Sequence, residues 1–226
     1  MKEEIYMINM LFSEYNFHES WAKDIVGKYI DSSDRILIIP FSFNEKISSD
    51  DKWQKSYSKS NGKYYESIVI PFKNYGIKEG NINWINYFRD RKEDAKVKIR
   101  NSDIIFLTGG LPDKMMSRLV EFNLIEDIES FRGIIIGSSA GAMVQVSEYH
   151  ITPDADYEAF SYNSGLNIIN NFDIEVHYEG TELENKYIKK VLEEKKDKIY
   201  AITNSGGIVV DNGNIILLGN TITFSK

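Results

Sequence analysis

Five short runs ahead of residue 145 are almost unbroken apolar sequence: Ile5–Met10, Ile36–Ile39, Ser67–Ile70, Ile104–Leu107 and Ile134–Ile136. Runs this short are strand-sized, and they lack the polar residue at every second position that a sheet with one wet face requires. They predict strands buried on both sides, the situation of a parallel sheet clad in helices. The segments between them, Glu14–Tyr29, Lys46–Ser60, Trp84–Lys92 and Pro112–Phe122, mix polar and apolar residues and predict the covering helices.

The texture changes after residue 145. Glu148–Asn163 carries acids, Pro153 and several tyrosines and predicts a long loop, whereas Ile168–Tyr178 reads as a strand. Glu182–Lys196 predicts a charged helix with Tyr187, Ile188, Val191 and Leu192 as its apolar face. Ile199–Ile202, Ile208–Val210, Ile215–Leu218 and Thr221–Phe224 follow closely, with Asp211-Asn212-Gly213-Asn214 as a turn. No linker, repeat or low-complexity tract interrupts the chain. The expectation is one α/β domain over residues 1–226: a mostly parallel sheet flanked by helices on both faces, with a C-terminal antiparallel hairpin. That hairpin leaves a strand edge, so a homo-oligomer stays open.

Composition excludes several classes. The 226 residues are 42% apolar and 27% charged, the balance of a globular chain. Acidic residues exceed basic ones, giving a formal net charge of −7. No basic stripe is present to displace counterions from a phosphate backbone, so no nucleic-acid partner is expected. The chain has no cysteine, which removes disulfides, thiolate zinc sites and a cysteine nucleophile. No apolar stretch has the length of a membrane span, and the first residues lack the apolar core of a signal peptide. A cytoplasmic protein with no membrane partner is expected.

The chemistry centres on Gly137-Ser138-Ser139-Ala140-Gly141, a G-x-S-x-G placed after an apolar strand and before a helix. A sharp strand-to-helix turn forces its serine into a strained backbone region and presents Oγ at the carboxyl edge of the sheet. The Ala140 N–H then stands where an oxyanion would form. Thr108-Gly109-Gly110, after another apolar run, is a second place where backbone N–H groups can approach an oxyanion. A serine needs a base, and only His18, His150 and His177 exist. His177 ends the apolar stretch Ile174–Val176, at a strand end where α/β sheets hold catalytic groups. His18 falls in the first predicted helix, and His150 in the loop leaving the serine.

These segments, in this order, resemble the serine peptidase family of dipeptidase E (aspartyl dipeptidase) and cyanophycinase, which has a class I glutamine amidotransferase-like fold. The resemblance spans nearly the whole chain, and Gly137-Ser-Ser-Ala-Gly-Ala142 is its most specific part. It implies a serine hydrolase acting on small peptides, with Ser139 as nucleophile, His177 as general base, and Gly110 and Ala140 as oxyanion donors. No metal or organic cofactor is implied. For the residue that orients His177, the resemblance offers Asp154 in the loop after the nucleophile, and a Ser-His-Asp site with Asp154 as the orienting group is the expectation. A carboxylate of the dipeptidase branch falls instead on Asn204, where this chain departs from the pattern. Glu175 is the local rival, two residues before His177 on one strand face. The branch also places an arginine soon after its histidine to read a substrate carboxylate, and no arginine follows Arg132 here. Two other readings compete. An α/β-hydrolase esterase shares the elbow, but only 38 positions separate Ser139 from His177. A catalytically degenerate scaffold that binds a ligand or partner would explain both departures.

Overall fold

A computed structural model describes residues 7–226; Ile5 and Tyr6 of the first apolar run lie outside the described residues. Strands β1 (Ile8–Phe12), β2 (Ile36–Ile39), β3 (Ile82–Trp84), β4 (Ile104–Leu107) and β5 (Ile134–Ser138) run parallel, in the spatial order β1-β5-β4-β2-β3. Successive side chains on a strand face opposite ways, and both ways lead into apolar packing. Met10, Ile36, Phe106 and Ile136 pack with Val26 of α1 (Lys23–Val26), Trp53 and Tyr57 of α2 (Asp50–Tyr57), and Ile68, Val69 and Phe72 of α3 (Tyr65–Asn74). Leu11, Leu37, Ile105 and Ile135 pack on the other face. There they meet Ala95 and Ile99 of α4 (Lys92–Arg100), Met115 and Leu119 of α5 (Pro112–Glu121) and Ile128 of α6 (Ile125–Glu129). Each such side chain gains about 1.5–3 kcal/mol by leaving water, which is why the runs are continuously apolar.

Past β5, α7 (Ala140–Met143) leads to a separate antiparallel ribbon of β6 (Glu148–Ile151) and β7 (Ser161–Ser164). Then come β8 (Asp173–Val176), α8 (Glu182–Glu194), β9 (Lys198–Asp211) and β10 (Asn214–Ser225). β9 lies antiparallel to β1, and β10 antiparallel to β9 at the end of the sheet. Asn212 and Gly213, with φ of 50° and 78°, make the two-residue turn whose twist suits a hairpin.

One detail of register builds the site. Along β9, Phe12 of β1 lies opposite Gly207, while Val176 of β8 lies opposite Ile202. β10 occupies the other side of β9. The carboxyl ends of β1 and β8 therefore approach each other head to head, with residues 203–206 of β9 spanning the gap.

Several sequence expectations are corrected. Ser67–Ile70 is not a strand but part of α3: its buried Tyr65, Ile68, Val69 and Phe72 recur at helical spacing, which a four-residue window hides. The place it would have taken in the sheet belongs to β3. Trp84–Lys92 is the end of β3 and an Asn86-centred turn, Asn86 Oδ1 accepting from the Phe88 N–H at 2.9 Å; the helix begins only at Lys92. Glu14–Tyr29 contains a single helical turn, α1, preceded by a loop. Glu148–Asn163 contains β6 and the start of β7 rather than loop alone. The four apolar runs of the tail are two long strands, broken in appearance by glycines near a register shift between Gly219 and Thr221.

Candidate active site

β5 lies between β1 and β4, and its last residue, Ser138, leads directly into Ser139. Ser139 has φ 51° and ψ −116°, a left-handed conformation that costs a non-glycine residue on the order of 1–3 kcal/mol. The neighbours hold it there. Its N–H donates to the Phe12 carbonyl at 2.8 Å, and α7 starts at the next residue. A Cβ on Gly137 would strike the Gly141 carbonyl, and one on Gly141 would strike the Leu107 carbonyl. The two glycines thus let α7 sit directly on the sheet edge.

The Gly109-Gly110 turn lies against this serine, since a Cβ on Gly109 would come 3.3 Å from Ser139 Cβ. Gly110 has φ 136°, and a Cβ there would lie 2.5 Å from the Ser42 carbonyl oxygen. The Gly109 N–H is taken by the Tyr15 hydroxyl at 2.8 Å. Burial pushes that phenol above its ordinary pKa, so it stays neutral. The N–H groups of Gly110 and Ala140 meet no acceptor among the described residues. Two donors beside a strained serine can receive an oxyanion.

His177 follows β8 with φ 55°, so the chain turns sharply where the strand ends. Its N–H donates to Ser13 Oγ at 2.9 Å, and Ser13 Oγ donates to the Ile202 carbonyl at 2.8 Å. Ser139 is thus tied to Phe12 and His177 to Ser13, adjacent residues at the end of β1. That junction brings the two sequence candidates to one place. The His177 ring is partly exposed, and its Nδ1 lies 2.8 Å from Asn204 Oδ1. An amide oxygen only accepts, so the hydrogen sits on Nδ1 and Nε2 is left free to take a proton.

The structure does not bring Asp154 or Glu175 to that ring. Asp154 Oδ1 accepts from the backbone N–H groups of Asp156 and Tyr157, both at 2.8 Å, so the carboxylate folds its own exposed loop. Glu175 shares a face with His177 only if the strand continues, and the left-handed turn at His177 breaks that alternation. Its Oε2 instead lies 2.8 Å from His150 Nε2 and accepts from Thr152 Oγ1 at 2.7 Å. His150 is buried, with Nδ1 2.6 Å from Asp173. Burial alone would lower its pKa; the carboxylates of Asp173 and Glu175 outweigh that and raise it to about 10. A ring already charged and paired at both nitrogens is a structural cation rather than a base.

Sequence reading missed the segment from Ser13 to Asn16. Ser13 joins His177 to β9, Asn16 Nδ2 donates to the Asn204 carbonyl at 2.8 Å, Tyr15 supports the glycine turn, and Glu14 Oε1 lies 3.6 Å from His177 Nδ1. The available signal was position: residues directly after a strand neighbouring β5 must stand at the edge where Ser139 stands. Next to the glycine turn opens a cleft of about 710 Å³, lined by Tyr15, Ser42, Lys46, Lys52, Lys55 and Lys63 among others. None of these lysines pairs with a carboxylate among the described residues, whereas Lys59 and Lys114 nearby do. No helix among the described residues is long and apolar enough to cross a membrane.

The sequence model of peptidase family S51 matches residues 54–218, which hold the elbow, His177 and Asn204. Among solved structures, a candidate peptidase E from Listeria monocytogenes EGD-e is similar at 20% identity and a TM-score of 0.63, over 97% of this chain and 98% of the other. A peptidase from an acI-B1 Actinobacterium is similar at 15% identity and a TM-score of 0.64, over 98% of each chain. At these identities the likeness speaks for the fold. Among curated proteins none matches the chain.

Proposed function

Because the chain belongs to peptidase family S51, we propose that it is a serine-type hydrolase of small peptides, dipeptidase E-like in its chemistry. The observation that carries this reading is Ser139 held at φ 51° beside two backbone donors without an acceptor among the described residues, on the same β1 junction that anchors His177. In this mechanism Ser139 Oγ attacks the peptide carbonyl carbon while His177 Nε2 takes its proton. The carbonyl oxygen becomes an oxyanion and is received by the N–H groups of Gly110 and Ala140. The imidazolium then gives its proton to the leaving amine as the C–N bond breaks. Water then attacks the acyl carbon and gives its proton to the imidazole, and the imidazolium returns that proton to Ser139 Oγ as the ester bond breaks and the acid leaves. Asn204 holds the ring in the tautomer these transfers need.

The cleft supports a substrate preference. Four lysines without carboxylate partners stand in a chain of net charge −7, beside the glycine turn, and suit a substrate carboxylate better than an apolar side chain. Lysine serves here as a point charge, without the fixed fork of an arginine. Asp156 lines the same cleft and offers a partner for a substrate amine. The test is a dipeptide and tripeptide library digested by the wild type and by Ser139→Ala. Turnover of peptides bearing carboxylates by the wild type alone is the expected result. Equal turnover by Ser139→Ala overturns the reading.

A further inference from the structure

Two groups meet the same nitrogen of His177. Asn204 Oδ1 accepts from it at 2.8 Å, and Glu14 Oε1 lies 3.6 Å away. The first contact is a hydrogen bond to a neutral amide. The second is too long for a hydrogen bond but within ion-pair reach. An amide fixes a tautomer yet adds no charge to balance the imidazolium that forms when the serine gives up its proton.

Glu14 comes from the loop after β1, and Ser138 Oγ donates to its backbone carbonyl at 3.1 Å, one residue before the nucleophile. Among the described residues it is the carboxylate in ion-pair contact with this ring. The titratable side chains nearby are engaged elsewhere: Glu175 with His150, the Tyr178 hydroxyl with Asn185, and the Tyr15 hydroxyl with the Gly109 N–H. We infer that Glu14 supplies the negative charge that Asn204 cannot. Orientation and charge, usually duties of one acid, are here divided between Asn204 in the middle of β9 and Glu14 in the loop after β1. This inference rests on Ser139 and His177 being nucleophile and base.

Glu14 is a positioning residue in this scheme, since it acts through His177 and not on the substrate. Both side chains are close to half exposed, at 46% and 42%, so water and salt weaken the interaction. The measurement is the second-order rate of Ser139 labelling by a fluorophosphonate probe near neutral pH, followed against salt. Glu14→Gln should label about three- to tenfold more slowly at low salt near neutral pH. Raising the salt to about 1 M, where screening acts within about 3 Å, should bring the two proteins together. Adding Asn204→Asp to Glu14→Gln should restore the rate. Loss of a purely structural glutamate would slow labelling equally at every salt and would not be rescued by Asn204→Asp. If Ser139 labels and Glu14→Gln matches the wild type at every salt, the inference is overturned alone. If Ser139→Ala labels as fast as the wild type, the nucleophile assignment falls and takes the inference with it.

Discussion

Replacing His150 should remove a proton-linked part of the stability that the wild type loses in alkali. His150 is buried between Asp173 and Glu175, and its pKa is raised to about 10 from an ordinary 6.5. Below pH 6.5 the ring is charged in both folded and unfolded chains, and its full contribution is present. Between 6.5 and 10 the unfolded chain sheds the proton while the folded one keeps it, so stability falls as pH rises. One proton is worth about 1.4 kcal/mol per pH unit, so the window corresponds to a loss of roughly 3–5 kcal/mol. That is a large share of the 5–15 kcal/mol typical of a folded domain. Urea unfolding of the wild type at pH 6, 7, 8, 9 and 10 should show the decline. His150→Gln should lack that slope and should be weaker by about 3–5 kcal/mol at pH 6, because two buried carboxylates then face each other without a cation. Should that variant not fold, NMR of the ring protons in the wild type gives the same information: His150 should remain charged at pH 8. A ring neutral at pH 8, or equal pH slopes in the wild type and variant, would refute the reasoning.

Two further outcomes follow from the geometry. Asp154→Asn should change turnover less than twofold, because the carboxylate serves its own turn and an amide oxygen can accept the same backbone hydrogens; a loss of two orders of magnitude in a steady-state assay would return it to the site. Lys52→Gln with Lys55→Gln should raise KM for carboxylate-bearing peptides by about three- to thirtyfold with kcat little changed, the mark of an interaction made equally in ground and transition states. Michaelis–Menten curves with a neutral peptide alongside serve as the check.

What the sequence made legible tracks how local each cause is. β2, β4 and β5 were readable because burial on both faces leaves a contiguous apolar signature of three or four residues. The elbow was readable because Gly137 and Gly141 answer to steric contacts within the motif or with the adjoining strand. Ile68 and Val69 were misread because four β-branched or small residues look alike in a strand and on a buried helix face; only the ten-residue period, with Tyr65 and Phe72, separates them. Asp154, matching the family's acid after the nucleophile, and Asn204, at the position of a carboxylate in its dipeptidase branch, were both candidates for the partner of His177. The choice depended on the register that sets β8 against β9, which no local pattern encodes. Glu14 escaped for a related reason. Its contact spans 163 positions and exists only because the ends of β1 and β8 meet on one strand. Glu175 misled because the alternation rule holds within a strand, and His177 lies one residue beyond it at positive φ.

The central claim is that Ser139 is a nucleophile activated by His177, and covalent labelling with a fluorophosphonate read by intact mass and peptide mapping tests it most directly. One label per chain, on Ser139, is predicted for the wild type, with none on Ser139→Ala and labelling slowed at least a hundredfold in His177→Ala. His18→Ala should label like the wild type. A folded wild-type protein that takes no label, or takes it on a residue other than Ser139, would contradict the claim.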